Sequence, residues 1–378
     1  MNRFFPALLL TLLTFNLPAQ AQSTCCRDTL GDVSLNVEVI ASGLNRPWGL
    51  AFLPDGSQLV TERGGRLRHI QNGRVSGAIQ GLPSDLASIE QGGLLDILVH
   101  PNFAQNNLIF FTYTQRSSSR YGTAVARAEL DVSNRRLRNL QTIFTMNQKS
   151  SGGRHFGSRL VLGNDGTLFV TLGDRGDPSR AQDPFDHAGK VIRINQDGSI
   201  PHNNPFADGS RGLPEIWSLG HRNAQGATLH PRTGDLWTIA HGPAGGDEVN
   251  RVLRGRNYGW PRISYGENYD GTGFSQGSAA SGLEQPRYYW DPSVAPSGLT
   301  YYNPSNALIP AWRGAFLHGA LRGQYLGVLD TQGNRIRGSE IYLNGQYGRI
   351  RDVRTGPNGA VWVLTDSSQG QLLRLTQG

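Results

Sequence analysis

Short apolar runs alternate with turn residues along most of the chain, and long amphipathic helical patterns are scarce. One unit recurs: an apolar strand, a Pro-, Asn- or Asp-Gly turn, then a second apolar strand. It is read at Trp48 to Glu62, Leu94 to Tyr113, Arg159 to Thr171, Ala227 to Ile239 and Arg351 to Thr365, with a weaker copy from Gly314 to Leu329. Each is a hairpin of turn residues set between β-prone runs. Six degenerate copies, irregularly spaced by insertions, predict an all-β chain folded as a six-bladed β-propeller of four-stranded antiparallel blades; a pair of β-sandwiches is the alternative. The early strand Val33 to Ile40 is expected to close the ring by joining the last blade. A propeller presents its inter-strand loops around a central channel, so functional residues should lie at equivalent loop ends of different blades.

The N-terminus changes the picture in one respect. Arg3, the apolar run Phe4 to Leu17 and the Ala19-Gln20-Ala21 site read as a secretory signal. Residues 1–21 are therefore expected to be a signal peptide, 22–31 an N-terminal tail and 32–378 the propeller catalytic domain. The mature chain would be exported, periplasmic or secreted, with a retained N-terminal anchor as the alternative. No later stretch approaches the ~20 apolar residues of a membrane span. The two cysteines, Cys25 and Cys26, are adjacent and follow the cleavage site; they match no metal pattern and read as a tail feature.

The net charge of +7 rests almost wholly on arginine, because Lys149 and Lys190 are the only lysines. That argues against a lysine Schiff base and favours a ligand bearing carboxylates, which the guanidinium fork matches. The basic residues are scattered. Arg135-Arg136-Leu137-Arg138 is the single cluster and reads as a solvated loop, so the basic stripe of a nucleic-acid binder is missing.

Candidate chemistry gathers in a few loops. His155, among the small residues of Gly152-Gly153-Arg154-His155-Phe156-Gly157-Ser158, has the surroundings of an open imidazole, the natural general base near neutral pH. Asp174, in Gly173-Asp174-Arg175-Gly176, follows the next hairpin and is placed to meet it. A lone histidine is more often structural, and Gln91 in Glu90-Gln91-Gly92-Gly93 reads equally well as a turn residue. His221-Arg222-Asn223-Ala224-Gln225-Gly226 sets an arginine among amides, suited to a planar oxygen-rich ligand or to a solvated loop. Ala240 to Glu248 carries Asp247 and Glu248 after a glycine-rich turn with free carbonyls, and Asn257-Tyr258-Gly259-Trp260-Pro261 follows. Such hard oxygen donors suit Ca²⁺ better than zinc or copper. Arg349 and Arg351 share one face of a strand and favour a polyanionic ligand, with Arg322 as a third cation.

With these residues in view, the chain resembles the soluble PQQ-dependent aldose sugar dehydrogenases of the glucose/sorbosone type, from Leu44 to Leu375. The resemblance rests on Asn45-Arg46-Pro47-Trp48-Gly49, Gln91-Gly92-Gly93, Gly153 to Gly157, Gly173 to Gly176, Gly220 to Asn223, His241-Gly242-Pro243, Gly246-Asp247-Glu248, Asn257 to Pro261, Ala295 to Gly298 and Arg349 to Asp352. It implies PQQ over the central channel with Ca²⁺ at the quinone edge. His155 is implied as the base for the anomeric hydroxyl, with Asp174 and Arg222 completing the catalytic set. Gln91, His155, Arg222, Asn223, Tyr269, Ser293, Arg322, Arg349 and Arg351 are implied PQQ positions; Gly242, Pro243, Glu248 and Tyr258 are implied calcium ligands. Where the family often has a glutamate before His-Gly-Pro, this chain has Ala240. The expected partners are an aldose sugar and an external electron acceptor, for a monomer or homodimer with no nucleic acid and no membrane span in the mature chain. Two other readings are a calcium-dependent lactonase or esterase on a six-bladed propeller, and a secreted non-catalytic binding propeller.

Overall fold

The computed structural model describes residues 33–378, which form six sheets of four antiparallel strands arranged as a six-bladed β-propeller. Blade 1 holds β2 (Pro47–Phe52), β3 (Gln58–Glu62), β4 (Arg66–Gln71) and β5 (Arg74–Val75). Blade 2 holds β6 (Leu94–Val99), β7 (Leu108–Ser117), β8 (Arg120–Asp131) and β9 (Arg136–Thr145). Blade 3 runs through β10 (Leu160–Leu162), β11 (Leu168–Thr171), β12 (Lys190–Ile194) and β13 (Ile216–Leu219). Blade 4 is β14 (Ala224–Leu229), β15 (Leu236–Ala240), β16 (Asp247–Val252) and β17 (Tyr288–Trp290). Blade 5 is β18 (Pro296–Tyr302), β19 (Ala315–Ala320), β20 (Leu326–Gln332) and β21 (Arg335–Tyr342). Blade 6 contributes β22 (Ile350–Thr355), β23 (Val361–Thr365) and β24 (Gly370–Gln377), and its outermost strand is β1 (Leu35–Leu44).

The ring therefore closes as expected, with β1 paired to β24 from Leu35↔Gln377 to Leu44↔Gly370. This joins the first described strand to the last and closes the ring through one blade built from both ends of the propeller. The expected signal peptide and tail, with Cys25 and Cys26, lie outside the described residues. Among the described residues no helix is long and apolar enough to cross a membrane.

The repeated turn has a local cause. Asp55 Oδ1 accepts from Ser57 N at 2.9 Å, and Asp165 Oδ1 accepts from Thr167 N at 3.1 Å, so the carboxylate closes the turn while Gly56 and Gly166 take φ of +82° and +80°. The weaker repeat from Gly314 to Leu329 is β19 and β20, the second and third strands of blade 5. Its true first strand, β18, is followed by a long connection with a 3₁₀ turn at Pro310–Trp312, so no Asp-Gly turn marks it.

Apolar side chains interdigitate between neighbouring blades: Leu59, Ile97 and Phe111 join blades 1 and 2, and Leu317, Val353 and Val363 join blades 5 and 6. Near the axis the strands crowd, and a Cβ on Gly226 would sit 2.1 Å from Ser297 O. Polar groups fill the axis. Arg159 Nη1 meets Asp96 at 2.9 Å and Asp352 at 3.1 Å, while its Nε donates to Gln225 O at 2.7 Å. Arg354 bridges the same two aspartates, and Leu50 N donates to Asp352 at 3.1 Å. Five blades are thus tied at one buried cluster, and removing one member would leave an uncompensated charge at a cost of about 3–5 kcal/mol.

Candidate active site

Antiparallel strands alternate direction, so the connection into each innermost strand and the connection between second and third strands open on one face of the ring. That face receives nearly every candidate residue. Gln91, His155, Arg222, Asn223, Ser293 and Arg349 precede the innermost strands of blades 2 to 6, and Arg351 begins β22. Asp174, Gly242, Pro243 and Arg322 follow the second strands of blades 3, 4 and 5. Tyr258 and Tyr269 belong to the long insertion between β16 and β17. That insertion climbs beside β13, where Asn257 bridges Leu219, to reach the same face.

His155 Nδ1 lies 2.7 Å from Asp174 Oδ1. A carboxylate only accepts, so Nδ1 carries the proton and the Nε2 lone pair is left open. Burial lowers the imidazole's proton affinity below its usual value; Asp174 opposes this, while Arg222 and Arg175 add to it. Burial alone would raise the Asp174 carboxyl, but the hydrogen bond and charge of His155, then Gly176 N and Arg222, bring it below the usual range. Asp174 Oδ1 also accepts from Gly176 N at 2.8 Å, and Oδ2 accepts from the Trp260 indole N–H at 2.8 Å.

The backbone presents the histidine in a left-handed conformation, φ +56°, which a β-carbon disfavours. Neighbours hold it there. Gln91 Oε1 accepts from His155 N at 2.9 Å, and Asn223 Oδ1 accepts from Gly157 N at 3.0 Å. The Arg175 guanidinium donates to the carbonyls of Arg154 and Gly152 and lies 3.5 Å above the Phe156 ring. Gly173 passes so close that a Cβ there would fall 2.0 Å from His155 O.

Blade 6 supplies the opposite pole. Arg351, buried, bonds Asp366 Oδ2 at 2.8 Å and Gln225 Oε1 at 2.6 Å; Arg349, 46% exposed, reaches the same carboxylate at 3.3 Å. The two arginines expected to favour a polyanionic ligand thus also share an internal counter-charge, Asp366. Arg63 and Arg46 belong to the same electrostatic cluster. Arg63 N donates to Arg46 O, and Arg46 N to Ser367 O beside Asp366. Asp366 is driven down to about 2: burial opposes ionisation, but Arg351, Arg349 and Arg63 outweigh it. Arg351 and Arg63 are themselves lowered, by burial first and then by neighbouring guanidinium charge, with Asp366 offsetting only part. One carboxylate serves too many cations. Two buried donors beside these groups, Arg351 Nε and Asn223 Nδ2, have no hydrogen-bond partner. Arg322 is exposed on the rim.

The glycine-rich loop of blade 4 walls a cavity of about 20 Å³, with Glu248, Asn250, Gly242, Gly246 and Ser264 in its lining, enough for one small occupant. Burial pushes the Glu248 carboxyl up to about 7 despite a 2.9 Å bond from Asn250 Nδ2. Asn250 Oδ1 is buried without a partner. Asp247 is spent on structure, accepting from Gly242 N, Val294 N, Ala295 N and the Ser293 hydroxyl. Tyr258 is not brought to this cavity by its hydroxyl, which donates to Arg251 O at 2.6 Å. Tyr269 stands 79% exposed on the insertion, apart from the other candidates.

A family model described as Glucose / Sorbosone dehydrogenase matches residues 44–374. The chain belongs to that family. Aldose sugar dehydrogenase YliI of Escherichia coli (strain K12) is 41% identical over 348 residues, spanning 91% of this chain and 93% of that one. The soluble aldose sugar dehydrogenase (Asd) from Escherichia coli, solved in its apo-form, superposes with a TM-score of 0.88 at 40% identity, over 91% of this chain and 100% of that one. The PQQ-bound form of aldose sugar dehydrogenase (Adh) from Streptomyces coelicolor gives a TM-score of 0.74 at 27% identity, over 91% and 99% of the two chains.

This glucose/sorbosone dehydrogenase family member has site residues that the sequence reading passed over: Arg63, Arg175, Asn250, Trp260 and Asp366. A signal existed for four. Asp366 and Arg63 follow second strands of their blades, as Asp174 does in blade 3, and Arg175 and Trp260 lie inside motifs the sequence already singles out. Asn250 had none, because its role comes from a cavity.

Proposed function

We propose that the protein oxidises aldose sugars at C1 to the lactone, using PQQ and Ca²⁺ and passing electrons to an external acceptor after export. The observation that carries this reading is the His155–Asp174 pair with Nε2 open, facing the same mouth as an arginine cluster that exceeds its own carboxylate.

The residues present fit both groups. PQQ is a tricarboxylate, and the partnerless donors Arg351 Nε and Asn223 Nδ2, with half-exposed Arg349 and rim Arg322, match acceptor oxygens. Calcium takes oxygen ligands, and Asn250 Oδ1, Glu248 and the carbonyls of Gly242 and Pro243 offer them. Among the described residues no three His, Cys, Asp or Glu side chains gather to hold a metal, so such an ion would rest mainly on carbonyl and amide oxygens. Ala240 stands opposite Glu248 in the β15–β16 register, leaving Glu248 without a second carboxylate there. Tyr258 would contribute its carbonyl. Ser293 would act through the loop it pins to Asp247, and exposed Tyr269 would meet the sugar.

When bound, PQQ supplies the electrophilic carbon that accepts hydride from C1, with calcium polarising the quinone. The protein's part is the proton. His155 Nε2 takes it from the anomeric hydroxyl, and Asp174 steadies the imidazolium that results. Arg222, stacked 5.3 Å from the Trp260 ring, sets positive charge beside the pair and favours return of that proton to solvent. The test is reconstitution of apo-protein with PQQ and Ca²⁺, followed by dye reduction with a panel of aldoses. Sugar-dependent reduction is expected, and its absence from folded, PQQ-loaded protein would overturn the reading. Ester or lactone hydrolysis without PQQ would favour the lactonase, and no spectral change on adding PQQ the binding module.

A further inference from the structure

Trp260 is fixed from several sides. Its backbone N donates to Gly220 O at 3.0 Å, its carbonyl accepts from Gln182 Nε2 at 2.6 Å, and its ring packs on Phe274 at 5.4 Å. The indole is 7% exposed, and its N–H is spent on Asp174 Oδ2 at 2.8 Å. The other oxygen of that carboxylate takes His155 and Gly176 N. The insertion that carries Trp260 thus reaches from blade 4 back to blade 3 and ends on the group that aims the histidine.

We propose that Trp260 is a positioning residue for the proton-accepting pair: its indole N–H locks the Asp174 carboxylate and so fixes the aim and tautomer of His155. This rests on the reading of His155 as base. An indole N–H can only donate, so it favours the carboxylate over the acid. It holds Oδ2 away from His155 and leaves Oδ1 as the single acceptor for Nδ1–H. By sharing the carboxylate's charge it also limits how far Asp174 raises the histidine's proton affinity. The charged groups facing the pair are Arg222 and Arg175, and the titratable His241 nearby is pushed by burial down to about 3 and is neutral. None of them replaces the indole donor.

Trp260→Phe keeps an aromatic ring beside Arg222 and removes the N–H donor together with one ring of the indole. The experiment follows the His155 imidazole by NMR in the apo-protein from pH 4 to 9, in wild type and variant, then the pH dependence of kcat/KM after PQQ loading. In the variant the His155 midpoint is expected to rise by about 0.5–1 pH unit, a ~3–10-fold gain in proton affinity. The acid limb of kcat/KM should rise with it, and kcat should fall more than KM changes. An unchanged apo titration in a folded variant overturns the positioning role. A shifted titration with an unshifted rate profile supports the lock and refutes His155 as base, so the two failures are distinct. Should Trp260→Phe not fold, the wild-type protein decides. The Trp260 indole N–H resonance should then move with the His155 midpoint, and an indole signal indifferent to that titration overturns the proposal.

Discussion

Replacing Asp366 with asparagine tests the charge balance at the blade 6 pole. The carboxylate ionises near 2 in the folded protein against 3.8 ordinarily, a difference worth about 2.4 kcal/mol of stability at neutral pH. The sign follows from a depressed folded value. The contribution is fully present above about pH 4–5 and is lost as pH falls through the folded pKa, so that roughly 1 kcal/mol is gone by pH 3. The asparagine would keep an oxygen for Arg351 but no charge, so the variant should be less stable by about 2–3 kcal/mol at pH 7, short of a fully orphaned buried ion. Urea unfolding of both proteins at pH 7, 5, 4 and 3 reads the effect. The gap should be constant from pH 7 to 5 and narrow by about 1 kcal/mol at pH 3. Parallel curves over that range would refute the account, showing that Arg351, Arg349 and Arg63 do not depress Asp366 in the native state.

Three further outcomes follow from the site. Gly173→Ala would drive a methyl into the His155 carbonyl, 2.0 Å from where its Cβ must lie, and should cut kcat on the order of 100-fold and also lower the melting temperature, because the clash is with backbone; steady-state kinetics beside calorimetry check this. Asn250→Leu removes the partnerless amide oxygen of the blade 4 cavity, so millimolar Ca²⁺ should raise the melting temperature of the wild-type protein and leave that of the variant unchanged, measured against EDTA-treated samples. Arg63→Gln lightens the over-positive cluster and should weaken PQQ binding about 5–10-fold with a shallower salt dependence, read by equilibrium titration of the apo-protein at two ionic strengths.

The blade count and the ring closure were legible because each hairpin carries its own turn chemistry: Asp55-Gly56-Ser57 and Asp165-Gly166-Thr167 fix their loops with local bonds that any reader of the chain can see. Blade 5 was read out of phase because its first connection has no such turn. The site was legible where one residue type has few other uses, as with His155 among glycines or two arginines on one strand face. It was illegible where the role depends on a partner far along the chain. Asp366 sits 15 positions from Arg351 and Trp260 86 positions from Asp174, and neither spacing has a periodic signature. Ser293 shows the converse, since a hydroxyl near the right loop turned out to be consumed by Asp247.

The fold itself explains why one mouth has two unlike poles. Blades 3 and 6 stand opposite one another in a six-membered ring, and each places an aspartate just beyond its second strand. Asp174 is surrounded by N–H donors and a neutral histidine, so its charge goes into aiming a base. Asp366 is surrounded by arginines from blades 1 and 6, so its charge goes into holding them together without cancelling them. On the proposed function, the loops after these two strands would supply a proton acceptor on one side and an anion receptor on the other, and blade 4 adds a small cavity beside the first. On that reading, a ligand with carboxylates at one end would be turned by this asymmetry before any specific contact forms, its charged end toward blade 6 and its reacting end toward His155. Charge removal at Asp174 and at Asp366 should therefore have different signatures. Asp174→Asn would spare ligand affinity and remove turnover. Asp366→Asn, which leaves the cations unpaired but unaligned, would keep the salt-dependent attraction while blurring the orientation that turnover requires.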